Sequence, residues 1–433
     1  MKRLLLSFIF LGVLSLSCQN NQPNIKGVFA EDGAWCWFQD PRAVYIKGKQ
    51  ERTYAQWVSK EGKLIIGAYN HASKEKEFFT LKRRWGHDDH NVGAFVVLPD
   101  HRLMVFFTRH NRDGVFCRTS SEPENISKWE KEITITNMKR VTYVHPVYLK
   151  KEQRLYVFWR GENWKPTFST SLNGIEWTPH QVFVQNKPNP KVRPYIKVID
   201  DGISSIHFAF TDGHPNEDSD NSINYVKYKN DIFVNSKGDT IGNIRSLPLQ
   251  ISDCSVVYNG KNSNKPAWIW DIALDEIGDP IIAYAQFPSD STHIYHYAYW
   301  NGEKWVNNKI AKSGRWFPKA KKGEQETEKY YSGGMALNQN KPSIIYISKQ
   351  EKEIFEIEKC TTIDKGKTWK FLPITTKSSD NNVRPVYPRG YKGREEHILW
   401  MNGAYRHYLD FQTSIRIIDT VELKLPNPNN LIQ

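Results

Sequence analysis

The chain has 433 residues, a formal charge of +13, and 15 Trp, 21 Tyr and 21 Phe. Its basic residues are scattered, and in an exported protein that balance suits acidic polysaccharide rather than nucleic acid; the aromatic content serves both β-structure and sugar stacking. Cys36, Cys117, Cys254 and Cys360 are widely spaced with no CxxC pair, which excludes a zinc knuckle and a thioredoxin-type site and makes buried free thiols the expectation.

The chain opens Met1-Lys2-Arg3, runs apolar over residues 4–16 and reaches Ser17-Cys18. A basic start, an apolar stretch too short to span a bilayer and a small residue before the cut describe a secretory signal. The ending Leu14-Ser15-Leu16-Ser17-Cys18 resembles a bacterial lipoprotein box, which implies lipidation of Cys18. The expected organisation is a signal peptide over 1–17, a tether over 18–26, one domain over 27–420 and a loose tail over 421–433. No later run is long and apolar enough to cross a membrane. The expectation is a monomer, anchored by lipid in the cell envelope at the outer-membrane surface or in the periplasm. Loss of Lys2 and Arg3 with the signal would lower the charge from +13 to +11.

Within the domain, short strands and turns alternate almost uniformly, as at 63–69, 154–159, 205–210, 280–285 and 342–347. No segment sustains helical apolar spacing over three turns. Three stretches share a turn-Gly-x-x-Trp form: Ser171 to Trp177, Trp300 to Trp305 and Thr362 to Trp369. The last resembles an Asp-box, a hairpin turn that braces propeller blades and carries no chemistry. At roughly 45–60 residues per blade, a domain of this length suits seven blades. The predicted fold is all-β, a single seven-bladed β-propeller.

The sharpest chemical signal is Asp88-Asp89-His90-Asn91, followed by Arg109-His110-Asn111. Residues 93–107 between them read as strand, Pro-Asp turn, strand, which returns both histidines to one sheet edge. Paired imidazoles beside Asp, Arg and Asn can exchange protons near neutral pH. Further polar groups recur beside Gly or Pro at blade-like intervals: Tyr143-Val144-His145, Trp159-Arg160-Gly161 with Trp164, Arg193-Pro194-Tyr195, Gly213-His214-Pro215, Trp270-Asp271, His293 and Asn382-Val383-Arg384-Pro385.

Together with Trp35-Cys36-Trp37-Phe38-Gln39-Asp40-Pro41-Arg42-Ala43, these motifs resemble, in order, the BNR-4 group of seven-bladed propellers. That group includes ulvan lyases, rhamnose–glucuronate lyases and rhamnosidases. The resemblance implies an enzyme that cleaves an anionic, rhamnose–uronate polysaccharide by β-elimination. It places His90 and His110 on the lyases' paired histidines, Tyr143 on their catalytic tyrosine (with Tyr148 and Tyr156 as alternatives) and Arg160 on their carboxylate-neutralising arginine. Tyr195, Arg193, Asn91 and Trp164 fall to substrate binding. Such chemistry needs a base for the C5 proton, a cation on the adjacent carboxylate and an acid for O4; guanidinium grips carboxylate bidentately and keeps its charge. The resemblance also implies a bracing Zn2+ at His214, with Cys254, Asp271 and His293 as candidate companions.

Four other readings compete. An exo-acting rhamnose–glucuronate lyase would keep the same proton-transfer groups. A rhamnosidase is expected to carry a histidine just after the Asp-Pro-Arg-Ala motif, where this chain has Val44-Tyr45-Ile46. A sialidase could use Arg42, Arg193 and Arg384 as a triad, but no Tyr-Glu nucleophile pair accompanies them. A non-catalytic glycan-binding lipoprotein would gain nothing from both His90 and His110.

Overall fold

The computed structural model describes residues 24–420 apart from 188–191, 290, 316, 318–327, 329 and 394–395. The expected Cys18 lipid anchor, the signal and the tail from 421 lie outside the described residues.

Seven antiparallel sheets follow one another along the chain, each beginning with the strand nearest the axis. The inner strands are Ala43–Lys47, Ala94–Val97, Thr142–Leu149, Ile196–Asp200, Ala267–Leu274, Met335–Leu337 and Asn382–Val386. Six blades have four strands; the fourth has six, and beside it Val184–Gln185 and Leu249–Gln250 form a small parallel pair. Inner strands of successive blades touch in order, and a parallel bridge from Val44 to Arg389 joins the first blade to the last.

The ring closes through the chain's own start. Asn24–Ala30 is the outermost strand of the seventh blade, paired antiparallel with Asp410–Thr420. This corrects the expected tether: residues 24–26 already pair with Thr420, Asp419 and Ile418. A strand begun at residue 27 would leave those partners with an open edge.

Burial follows position in the blade. Strands Leu103–Phe107 and Ser205–Thr211 are buried on both faces, because neighbouring blades cover them, and therefore read as nearly continuous apolar runs. The outermost strand Lys370–Pro373 is exposed throughout and short, with a lysine at its start, as suits an unpaired edge. The turn-Gly-x-x-Trp motifs are hairpin or blade-corner turns: Asn301 Oδ1 accepts from the N–H of Glu303 and Lys304, and Asp364 Oδ1 accepts from Thr368 N at 2.9 Å. Gly302 and Gly366 take φ of 96° and 85°, a region that disfavours any side chain. Cys36, Cys117, Cys254 and Cys360 are buried free thiols, as expected.

Residues 34–41 run from the closing strand into the axis and pack against the other blades. Trp37 stacks on Trp270 at 4.4 Å and meets Tyr331 edge-on at 4.8 Å, while Phe38 lies against Tyr143 and Tyr195. Trp35 Nε1 donates to Arg384 O, and Gln39 Nε2 donates to His90 O at 2.6 Å. This aromatic plug fills the channel, so the site above it has a fixed floor.

Candidate active site

The hairpin between the two histidines forms as expected: Ala94–Val97 pairs with Leu103–Phe107, and Leu98 accepts from His101 N across the turn. His90 sits in a short 3-10 turn, Asp89–Asn91, capped by Asp88, whose side chain accepts from His90 N. His110 follows the returning strand and is fixed by its own N–H, which donates to Asn91 Oδ1 at 2.7 Å. The rings stack with centroids 4.2 Å apart and planes 11° apart.

One carboxylate serves both rings. Asp88 Oδ1 lies 3.0 Å from His90 Nδ1, and Asp88 Oδ2 lies 2.9 Å from His110 Nδ1. His90 Nδ1 is also 2.8 Å from Asp89 Oδ1, a charge contact without hydrogen-bond alignment. The other Asp89 oxygen accepts from Arg384 Nη1 at 2.5 Å and from Tyr405 OH at 2.7 Å. Burial opposes charge on His90, but Tyr143, Cys36, Tyr331 and Asp89 together raise its pKa well above the usual imidazole value. Burial and the charge of His90 push His110 down to about 4, against the hydrogen bond it donates to Asp88. Burial would raise Asp88, yet the two imidazoles hold it below the usual carboxylate range.

Across the mouth, Arg160 ends the strand Arg154–Arg160 and is 5 % exposed. It donates to Tyr195 OH at 3.1 Å, Asn111 Oδ1 at 2.7 Å and Thr142 Oγ1 at 3.0 Å, while its Nε has no partner. Among the described residues no carboxylate reaches ion-pair distance of Arg160. Its guanidinium lies over Tyr143 at 4.7 Å and over Trp164 at 5.0 Å. A buried cation whose described partners are all neutral suits an anionic ligand.

Tyr143 joins the two halves. Its ring is 5.6 Å from His90 and 5.7 Å from Tyr195. The strand register shifts between Thr142 and His145, and Tyr143 takes φ of 61°, so a bulge turns the ring toward the axis. Burial raises its pKa, with His90 and Arg160 pulling the other way. Of the alternative tyrosines, Tyr156 is bonded to Glu152 and Tyr228 elsewhere.

The remaining expected residues divide. Tyr195 and Trp164 line the mouth beside Arg160. Arg193 lies near Trp164, at 5.6 Å, but its guanidinium is engaged by Glu217. Asn91 is 4 % exposed; its amide donates to Gly86 O and its Oδ1 accepts from His110 N, so it braces the site. The three arginines of the sialidase reading are each paired with a separate carboxylate: Arg42 with Asp40, Arg193 with Glu217, Arg384 with Asp89.

The expected zinc donors do not gather. His214 Nδ1 accepts from Asn216 N at 3.1 Å and its ring packs on Trp268 at 4.6 Å. Cys254 lies in a different core cluster and donates to Gln250 O. Asp271 accepts from the N–H of Leu337 and Ile272 at 2.8 Å each, and His293 packs against Phe287. Among the described residues, the groups of three potential donors are Cys36–Asp89–His90 and Asp88–His90–His110. In the second group the nearly parallel rings keep their in-plane lone pairs from converging on one tetrahedral ion. The residues present therefore do not fit the expected zinc site.

Several groups at the mouth carry no assignment from the sequence. Asp88 stands two residues before His90 in the sequence, but only the fold shows that its carboxylate also reaches His110. Tyr331 OH lies 3.4 Å from His90 Nε2, and Tyr408 stands edge-on to both imidazoles at 4.8 and 5.4 Å. Glu328, 3.5 Å from His407, is pushed up to about 7 by burial. All come from blades distant in sequence; Tyr331 stands in Tyr330-Tyr331-Ser332-Gly333-Gly334, another polar stretch beside glycine at blade-like spacing, whereas no local signal marks Tyr408 or Glu328.

A seven-bladed propeller with an aromatic plug and a polar, histidine-bearing channel mouth is thus the class of protein defined here. Residues 52–313 match the BNR_4 family of BNR repeat-containing proteins, and the chain belongs to that family. No curated protein sequence matches it significantly. Among solved structures it is similar to an ulvan lyase of polysaccharide lyase family PL25, free and bound to -[GlcA(1-4)Rha3S]-, with TM-score 0.69, 14% identity, and 91% of this chain and 95% of that one covered. It is also similar to the polysaccharide lyase Uly1, with TM-score 0.57, 12% identity, and 92% and 99% covered. At these identities the likeness shows the fold.

Proposed function

We propose that the protein is a polysaccharide lyase that cleaves an anionic rhamnose–uronate polymer, of the ulvan type, by β-elimination. The observation that carries this reading is the stacked His90–His110 pair facing, across Tyr143, an arginine that no carboxylate among the described residues pairs. Two imidazoles with pKa values driven apart suit a base and an acid working together. The ulvan lyase of similar fold that is bound to -[GlcA(1-4)Rha3S]- supports the choice of substrate class.

In this mechanism Arg160 grips the uronate carboxylate. His110, neutral and donating Nδ1–H to Asp88, takes the C5 proton on Nε2. The electron pair left at C5 delocalises onto the carboxylate, where Arg160 stabilises it more strongly than in the bound substrate. It then forms the C4–C5 double bond as the C4–O4 bond breaks. O4 leaves with its electron pair and receives a proton through Tyr143, backed by the imidazolium of His90. Trp164 and Tyr195 hold the sugar beside Arg160. The reading includes a lipid anchor at Cys18, which the Leu14-Ser15-Leu16-Ser17 approach supports and which loss of lipid labelling in Cys18→Ser would test.

The test is digestion of ulvan and other uronate polymers, following the ultraviolet absorbance of the unsaturated uronate. New absorbance with falling polymer length is expected. Cutting without that absorbance would move the protein to the hydrolase reading, and tight binding without cutting to the glycan-binding one.

A further inference from the structure

We infer that Asp88 is the positioning residue that sets the tautomer of both histidines and, by serving the two stacked rings with one carboxylate, lets only one of them hold a charge. The inference rests on the lyase reading for its effect on turnover, but its structural content stands apart from any reaction. An ionised carboxylate only accepts hydrogen bonds. Both of its oxygens are committed to imidazole Nδ1 atoms, at 3.0 Å for His90 and 2.9 Å for His110. Each ring must therefore carry its proton on Nδ1, the less common tautomer of a free imidazole. That leaves both Nε2 atoms turned away from Asp88, with the one on His110 bearing a lone pair when the ring is neutral.

The stack then separates the two rings in charge. With centroids 4.2 Å apart, protonating both would set two like charges face to face. One shared carboxylate supports one extra proton, and the surroundings decide which ring takes it. Asp89 touches His90 alone, at 2.8 Å, and is itself fixed by Arg384 and Tyr405. From the neighbouring elements His90 also faces Cys36, Tyr143 and Tyr331, with Glu328, His407 and Tyr408 near the mouth. His110 faces Arg160 and the charged His90, both of which oppose a second proton. So His90 holds the charge and His110 stays neutral.

Asp88→Asn tests this. Asparagine can still cap the turn through its carbonyl oxygen, so the loop is kept, but its NH2 group cannot accept from an imidazole. One histidine must then switch to the Nε2–H tautomer. Nitrogen NMR of the histidine side chains in the full chain reads tautomer and pKa without any substrate. The wild type is expected to show a charged His90 and a neutral, Nδ1-protonated His110 at neutral pH. In Asp88→Asn one ring changes tautomer, the two pKa values draw together and turnover falls about 10²-fold with KM within a few-fold, in the range of losing an oriented catalytic group. Asp88→Ser, which keeps a cap, repeats the measurement if the first variant folds poorly. Unchanged tautomers and pKa values in both variants would overturn the inference. Shifted tautomers in a chain that cuts no uronate polymer would uphold the role of Asp88 and remove the lyase reading instead.

Discussion

The two ends of the axial channel hold similar residues in opposite states of satisfaction. At the far end, Lys197 is 1 % exposed and is bonded to Asp40 and to Trp37 O, while Arg42 takes the other Asp40 oxygen at 3.1 Å and Cys36 O. The two buried cations there share one carboxylate. At the histidine end, the partners of the equally enclosed Arg160 among the described residues are the neutral Tyr195, Asn111 and Thr142, and two imidazoles share one aspartate. The saturated network fixes the plug; the unsaturated one leaves charge for a ligand. Buried charge alone would not have told the two apart.

The largest expected effect lies at the far end and falls on stability. Asp40→Ala leaves Lys197 and Arg42 facing each other in the core, and should cost about 3–5 kcal/mol in denaturant unfolding. A cost below about 1 kcal/mol, the range of a solvated pair, would mean the far end is not the structural half of the comparison.

Arg160→Ala should do the reverse: turnover on a uronate polymer falls by about 10²-fold or more, as for a lost oxyanion donor, with a smaller shift in unfolding than Asp40→Ala. Arg160→Lys should recover only part, because an ammonium cannot reproduce the bidentate grip. Full recovery in the lysine variant would reduce Arg160 to a point charge.

The response to pH should also separate the ends. In the proposed mechanism turnover needs neutral His110 and charged His90. It is expected to fall on the acid side as pH drops through about 4, and on the alkaline side as pH climbs through the raised pKa of His90. Stability has a broader acid sensitivity. The folded pKa values of His110, about 4, and of His145 and His214, about 3, lie below the unfolded value near 6.5. The unfolded chain therefore binds more protons at these three sites in that window, and the stability they contribute, complete above pH 6.5, is lost progressively as pH falls toward those values. His145 lies near Lys197, Asp40 and Arg42, so His145→Phe should flatten the stability profile and leave the activity profile unmoved. A matching shift in both profiles would show the ends to be coupled.

The smallest effect belongs to Trp164. Its ring lies 5.0 Å from the Arg160 guanidinium, and Trp164→Ala should raise KM by up to about 10-fold, the scale of one cation–π contact and a sugar face, with turnover nearly intact. A loss confined to turnover would place Trp164 in the chemistry instead.

Much of this was readable before the fold. Strand rhythm and blade spacing gave seven blades, because strands covered on both faces must be apolar almost throughout. The hairpin at 93–107 was legible because Pro99-Asp100 marks its turn, and it carried the pairing of His90 with His110. Three things were not legible. Residues 24–26 looked like tether, since what makes them part of a strand is their partner at 410–420. The proposed zinc set failed because residues spaced like blades need not reach one point: Cys254 packs among Phe183 and Phe233, away from His214. The bulges that turn Tyr143 and Arg384 inward, with φ of 61° and 51°, leave no mark in side-chain type.

The central claim is that the channel mouth eliminates and does not hydrolyse. Digestion of a uronate polymer in water enriched in heavy oxygen, with mass analysis of the new chain ends, tests it most directly. Elimination takes no oxygen from solvent across the cleaved bond, so the product that keeps the departing O4 should carry no heavy oxygen and its partner should carry a C4–C5 double bond. One heavy oxygen per cut, on a saturated product, would contradict the assignment of His110 as the base that removes the C5 proton.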